Sequence, residues 1–116
     1  MLSVLFYRTV NGECPVEEFL DRLTAKEAKK ITWVLRLIES LPMVPRQYFK
    51  KLAGAEAIWE VRVESGRNTF RVLGFIDEGS FVVLTNAFAK KSQKTPSSEI
   101  ELAENRRRDH LSRGKK

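Results

Sequence analysis

Ile58-Trp59-Glu60-Val61-Arg62-Val63-Glu64 is the point at which the chain changes period. Trp59, Val61 and Val63 alternate with Glu60, Arg62 and Glu64, the two-residue repeat of a strand that buries one face. Ser65-Gly66-Arg67-Asn68 can turn the chain into a second such run, Thr69 to Ile76, and Asp77-Glu78-Gly79-Ser80 into a third, Phe81 to Phe88. Consecutive antiparallel hairpins follow from that order.

On the N-terminal side the period is helical. Thr24 with Glu27 forms a capping-box pattern, and Ala28, Ile31, Leu35 and Ile38, joined by Val34 and Leu41, recur at helical spacing up to Pro42. Pro15, Glu17 and Glu18 suit the first turn of an earlier helix with Phe19, Leu20 and Leu23 on its apolar face. Leu2 to Tyr7 reads as a short opening strand before the Asn11-Gly12 turn, while Pro42, Pro45 and Gly54 mark loops. After Pro96, Ser97 or Ser98 can cap a last helix carrying Ile100, Leu102, Ala103 and Leu111. The expected order is strand, two helices, three strands and a final helix. This is an α+β domain, with a helical hairpin grouped on one side of a small antiparallel-rich sheet and a C-terminal helix.

At 116 residues and 42% apolar, the chain can fill one core, so residues 1–116 read as one domain. Its charge is lopsided: residues 1–83 carry 12 basic and 11 acidic side chains, residues 84–116 carry 9 and 4. A field concentrated at the C-terminal end suits a polyanionic partner, nucleic acid or an acidic protein, or simply a well-solvated tail. Cys14 is the lone cysteine, which excludes an internal disulfide and a thiolate zinc cluster. The start lacks the features of a secretory signal and no apolar run reaches the length of a membrane span, so a cytoplasmic protein is expected.

One histidine and one cysteine, far apart, support neither a Ser/His/Asp nor a Cys/His arrangement, and no glycine-rich phosphate loop or metal-ligand spacing is present. Cations near strands remain. Lys50 and Lys51 precede the Trp59 strand, Arg62 and Arg71 lie within strands, and Lys90, Lys91 and Lys94 follow the last one in Phe88-Ala-Lys-Lys-Ser-Gln-Lys-Thr-Pro96. If Arg62 and Arg71 share the open face of neighbouring strands, their guanidinium groups can clamp a phosphate. On RNA, such a cluster can stabilise the extra charge of a pentacoordinate phosphorus while a 2′-hydroxyl attacks, with a lysine of lowered pKa as base. The competing reading pairs the two arginines with Glu60 or Glu64 across the strands. Arg106, Arg107 and Arg108, with His110, lie near the end of the last helix, where basic residues favour the helix dipole whatever the function.

Leu52-x6-Trp59-Glu60-x-Arg62, Phe70-Arg71-Val72, and Phe88-x-Lys90-Lys91-x-Gln93-Lys94-Thr95-Pro96 followed by Glu99, Ala103 and Arg106 form a pattern. It resembles the phage-derived, HigB-like branch of the RelE/HigB toxin superfamily, over almost the whole chain. The resemblance implies a RelE-like fold and the toxin of a type II toxin–antitoxin pair, a metal-independent endoribonuclease that cleaves mRNA, in many relatives at the ribosomal A site. It needs no cofactor. By that resemblance Arg62 and Arg71 match the strand arginines that contact the scissile phosphate and Lys90 and Lys91 the basic pair after the last strand, which makes these four the candidate catalytic residues; Lys50 and Lys51, in a looser correspondence, with Lys94, Arg106 and Arg107 are the candidate RNA-binding residues. The expected products are a 2′,3′-cyclic phosphate and a 5′-hydroxyl. Several relatives carry a tyrosine or histidine behind the last strand, whereas this stretch offers Phe88, Ser92 and lysines, leaving proton transfer to a lysine or the ribosome. The implied partners are a cognate antitoxin encoded next door, mRNA with the ribosome, and operator DNA only through the antitoxin. The same fold also includes a branch that poisons DNA gyrase, so a non-catalytic binder of a target or of nucleic acid is the alternative.

Overall fold

A computed structural model describes residues 1–90 and 94–114; Lys91, and Gln93 of the motif, lie outside the described residues. The elements are β1 (Ser3–Phe6), α1 (Pro15–Asp21), α2 (Ala25–Ser40), β2 (Phe49–Lys51), β3 (Trp59–Ser65), β4 (Asn68–Asp77), β5 (Phe81–Lys90) and α3 (Ser97–Gly114). Five strands form one mixed sheet in the order β1-β5-β4-β3-β2. Neighbours from β5 to β2 are antiparallel, and β1 joins β5 in parallel, with Ser3 opposite Phe81. The α+β class and the central hairpins agree with the sequence reading. The three-residue β2 is an addition to the expected order.

Local chemistry sets the element ends. Thr24 Oγ1 accepts from the Glu27 backbone N–H at 3.2 Å while Glu27 Oε1 accepts from the Thr24 N–H at 3.1 Å, a complete capping box at the start of α2. Pro15 occupies the first turn of α1, where its missing N–H costs nothing. At the β4–β5 turn, Glu78 and Gly79 both adopt positive φ, the conformation that a tight reversal demands.

The sheet is covered on both faces. Val16 of α1 and Ile31, Val34, Leu35 and Ile38 of α2 form one cluster with Val61, Val63, Phe70, Val72, Val82 and Leu84. The opposite face meets α3, where Ala103 and Ile100 join Ile58, Leu73 and Phe88, and Leu111 joins Tyr7, Phe75 and Val83. α1 and α2 thus share one face of the sheet, and the C-terminal helix takes the other. The alternation of β4 explains why: Phe70 and Val72 serve one face, Leu73 and Phe75 the other, so both need cover.

A bulge shapes the α3 face. Between Leu73 and Gly74 the register shifts, leaving Thr85 as the extra residue of β5. Gly74 is required there, because a Cβ would come within 2.4 Å of the Val83 carbonyl oxygen. Polar groups of α3 lock the bulge: Arg106 Nη1 donates to the Thr85 carbonyl at 2.8 Å, and Asn86 Nδ2 donates to Glu99 Oε1 at 2.9 Å.

Candidate nucleic-acid interface

Strand register brings four cations to one side of the sheet. Arg62 lies opposite Arg71 across β3 and β4, Lys50 lies opposite Glu60 across β2 and β3, and Arg71 lies opposite Phe88, two residues before Lys90. Residues opposite one another share a face, as do residues two apart. Lys50, Arg62, Arg71 and Lys90 therefore share the face that α3 partly covers.

Their environments differ. Arg71 is only 4% exposed, and its guanidinium is ion-paired with the fully buried Glu60. Thr95 Oγ1 donates to the second oxygen of Glu60 at 2.6 Å, and Arg71 Nη1 reaches Thr95 Oγ1 at 3.4 Å. Both carboxylate oxygens are thus engaged, as a charge buried so deeply requires. The triad ties the segment before α3 to the middle of the sheet. Arg62 is more open: its Nη2 lies 3.0 Å from Glu64 Oε1, with 39% of its side chain exposed, and its buried Nε has no hydrogen-bond partner among the described residues.

Lys90 is where these charges meet. Burial pushes its pKa below the ordinary 10.5, and Arg71, Arg62 and Lys50 push it further, against the opposing pull of Glu60. Four positive groups from β2, β3, β4 and β5 therefore act on one another through this side chain. A site of this kind favours an incoming anion, since each added negative charge relieves the crowding of the cations.

The other cations go elsewhere. Lys51 lies opposite Trp59 and so points to the other face of the sheet, beside a cavity of about 520 Å³ lined also by Trp59, Phe49, Val44 and Lys50. Lys94 is exposed next to Thr95. Arg106, besides its bond to Thr85, lies 5.8 Å from the Tyr7 ring centroid, and Arg107 lies 6.0 Å from that of Phe75. Both belong to the packing of α3 against β1, β4 and β5, roughly 14 Å along the helix from Ser97. His110 Nε2 is 3.6 Å from Asp77 Oδ2 and edge-on to Phe75. Among the described residues, no group of three or more His, Cys, Asp or Glu side chains is disposed to hold a metal ion.

A family model for phage-derived Gp49-like proteins (DUF891) matches residues 18–108. The chain belongs to that family. No curated protein matches it. The Gp49-like family lies within the RelE/HigB-like toxin superfamily and is associated with toxins of toxin–antitoxin pairs, so membership implies an antitoxin partner. In this Gp49-like chain the match runs from α1 to the arginine run of α3 and includes Lys50, Arg62, Arg71 and Lys90. No helix among the described residues is long and apolar enough to cross a membrane.

The competing sequence reading, in which the two arginines pair with Glu60 or Glu64, is met by the Arg71–Glu60 and Arg62–Glu64 ion pairs, but the burial of Glu60 and the part played by Thr95 were not foreseen. Glu60 falls in the alternation with Arg62 and Glu64, which gives it to solvent, yet it is fully buried. Thr95 looks like a loop residue. Their shared signal was the motif itself, in which Glu60, Arg71 and Thr95 all appear.

Proposed function

We propose that the protein is a toxin of the HigB-like branch that acts as a metal-independent endoribonuclease on mRNA, on the ribosome, and is silenced by its antitoxin. The observation that carries this reading is the strand register that sets Lys50, Arg62, Arg71 and Lys90 on one face of the sheet, and the lowered pKa of Lys90 among them supports it. Neutral Lys90 accepts the proton of the 2′-hydroxyl, whose oxygen attacks the adjacent phosphorus. Arg62 and Lys50 take the charge growing on the non-bridging oxygens, and the bond to the 5′-oxygen breaks as that oxygen takes a proton from water, to which the Lys90 ammonium afterwards returns the proton it accepted. The products are a 2′,3′-cyclic phosphate and a 5′-hydroxyl. Arg71 acts from below, keeping the positive field at Lys90 and holding Glu60 and Thr95 in place.

The test is mRNA cleavage in a translation reaction with Lys90→Gln, expected to slow cutting by about 10²–10⁴-fold, the usual range for a general base. The wild-type rate should rise with pH through the lowered pKa of Lys90, because the base is the neutral amine, and this limb should vanish in Lys90→Gln. Intact mRNA with wild-type protein ends the proposal. The closed Glu60–Arg71 pair favours one second reading, a non-catalytic binder of a target such as DNA gyrase, in which Arg71 is purely structural. Inhibition of supercoiling with no change in RNA length would establish it.

A further inference from the structure

Trp33 is 46% exposed in the middle of α2, an unusual position for so large an apolar side chain. Lys26, Lys29, Lys30 and Arg36 lie at helical spacing around it, all exposed. The Lys30 ammonium is 5.0 Å from the Trp33 ring centroid, and Tyr48 meets the indole edge-on at 6.0 Å. The indole is thus steadied by neighbours yet left open to a ligand.

The two carboxylates of α2 are occupied within the fold. Glu27 serves the capping box and accepts from Asn68 Nδ2 at 2.9 Å, and Glu39 accepts from the Val4 N–H of β1 at 2.9 Å. The lysines and Arg36 therefore dominate this surface. Three depressions follow one another along it. One of about 500 Å³ is lined by Ala28, Lys29, Thr32, Trp33 and Arg36; one of about 360 Å³ by Lys26, Lys29, Lys30, Glu64, Ser65 and Gly66; and one of about 390 Å³ by Lys30, Val34, Gln47, Tyr48, Arg62 and Glu64. Lys29 and Lys30 are shared between them. The last opens on Arg62, a member of the cation cluster. Glu64 is the one carboxylate in this lining, and Arg62 holds it at 3.0 Å.

We infer that the outer face of α2 is a second RNA contact, a track that carries the single strand running past Arg62, with Trp33 stacking a base and Lys26, Lys29, Lys30 and Arg36 following the phosphates. The inference rests on the proposed RNA-binding role of the Lys50–Arg62–Lys90 cluster and extends it to a strand of several nucleotides. An open aromatic ring among cations is the usual platform for single-stranded nucleic acid, because every base offers a face to stack. A purely acidic protein partner would use the cations and leave the indole without purpose.

The test uses a fluorescein-labelled 2′-O-methyl uridine dodecamer, which has no 2′-hydroxyl to attack, so binding is read without cleavage. Anisotropy titrations compare wild type, Trp33→Ala, Trp33→Phe and Lys29→Gln/Lys30→Gln, each checked for an unchanged circular dichroism spectrum. Trp33→Ala is expected to weaken binding about tenfold, the share of one stacked base, with Trp33→Phe recovering much of it. The lysine double variant should lower the slope of log affinity against log salt by about 1.4, the share of two phosphate contacts on a single strand. Wild-type affinity and slope in Trp33→Ala and in the lysine double variant overturn the inference, as does a parallel titration with labelled polyglutamate in which the variants lose affinity for that polymer alone, which would assign the track to an acidic polypeptide. Cleavage of mRNA is measured separately. A wild type that binds the dodecamer through Trp33 but leaves mRNA intact removes the nuclease proposal and keeps the track; cutting without any Trp33 dependence of dodecamer affinity does the reverse.

Discussion

The face of the sheet under α1 and α2 is closed by aliphatic packing, with Val16, Ile31, Val34, Ile38, Val61 and Val72 all fully buried. The face under α3 is closed differently. There the apolar contacts come in two small clusters, and between them lie the buried polar groups Glu60, Arg71, Thr85, Asn86 and Thr95. Each of these serves a bond that draws α3 or the chain before it onto the sheet. Apolar packing tolerates small changes of shape, whereas a buried charge tolerates no missing partner. The first face sets stability by area, and the second sets position, which is what a reactive site needs.

The contrast breaks most sharply at Glu60. Glu60→Ala leaves the Arg71 guanidinium buried without its counter-charge and should destabilise the fold by about 3–5 kcal/mol in chemical denaturation. Joint replacement, Glu60→Leu with Arg71→Met, should restore most of that stability, and because Lys90 loses the positive field of Arg71 together with the opposing pull of Glu60, RNA cleavage should fall far less than in Lys90→Gln. If the joint variant is as unstable as Glu60→Ala, the pair matters for packing and the contrast between faces is weaker than drawn. A smaller effect belongs to the aliphatic face. Ile31→Val should cost about 1 kcal/mol and leave cleavage unchanged.

The smallest effect is a pH dependence at the far end of α3. Tyr7 Oη donates to Asp109 Oδ2 at 2.5 Å, which together with Arg113 holds the Asp109 pKa below its ordinary 3.8. Burial, and then the same bond, raise the Tyr7 pKa above 10.0. Asp109 therefore contributes stability above its ordinary value that is lost as pH falls through the lowered one. Tyr7 contributes below 10.0, and that share is lost as pH rises through the raised value. Thermal melts of Tyr7→Phe against pH should show a shallower decline at both ends than wild type.

Much of this was legible from local sequence, and what was not has a common cause. The alternation in β3, the turns around Gly66 and Gly79, and the Thr24–Glu27 box are short-range signals, and the structure contains them. β2 escaped notice because three residues, two of them lysine, carry no period. The parallel seat of β1, the passage of α3 to the opposite face and the burial of Glu60 all depend on residues far apart in the chain. The same holds for the cations. Arg62 and Arg71 could be gathered in advance by strand alternation, whereas Lys50 depended on the unforeseen β2, and Arg106 and Arg107 form a basic run whose partners, Thr85, Tyr7 and Phe75, are set by the docking of α3.

The pairing of β1 with β5 has a consequence for synthesis. β1 must wait for β5, since Ser3 pairs with Phe81 and Val4 with Val82 and those partners are made about 80 residues later. Such distant pairing is slow to nucleate, and until it forms the nascent chain has neither a finished sheet nor a seat for α3. The cation cluster of β2 to β5 is therefore complete only once the last strand has been made, late in the synthesis of the chain.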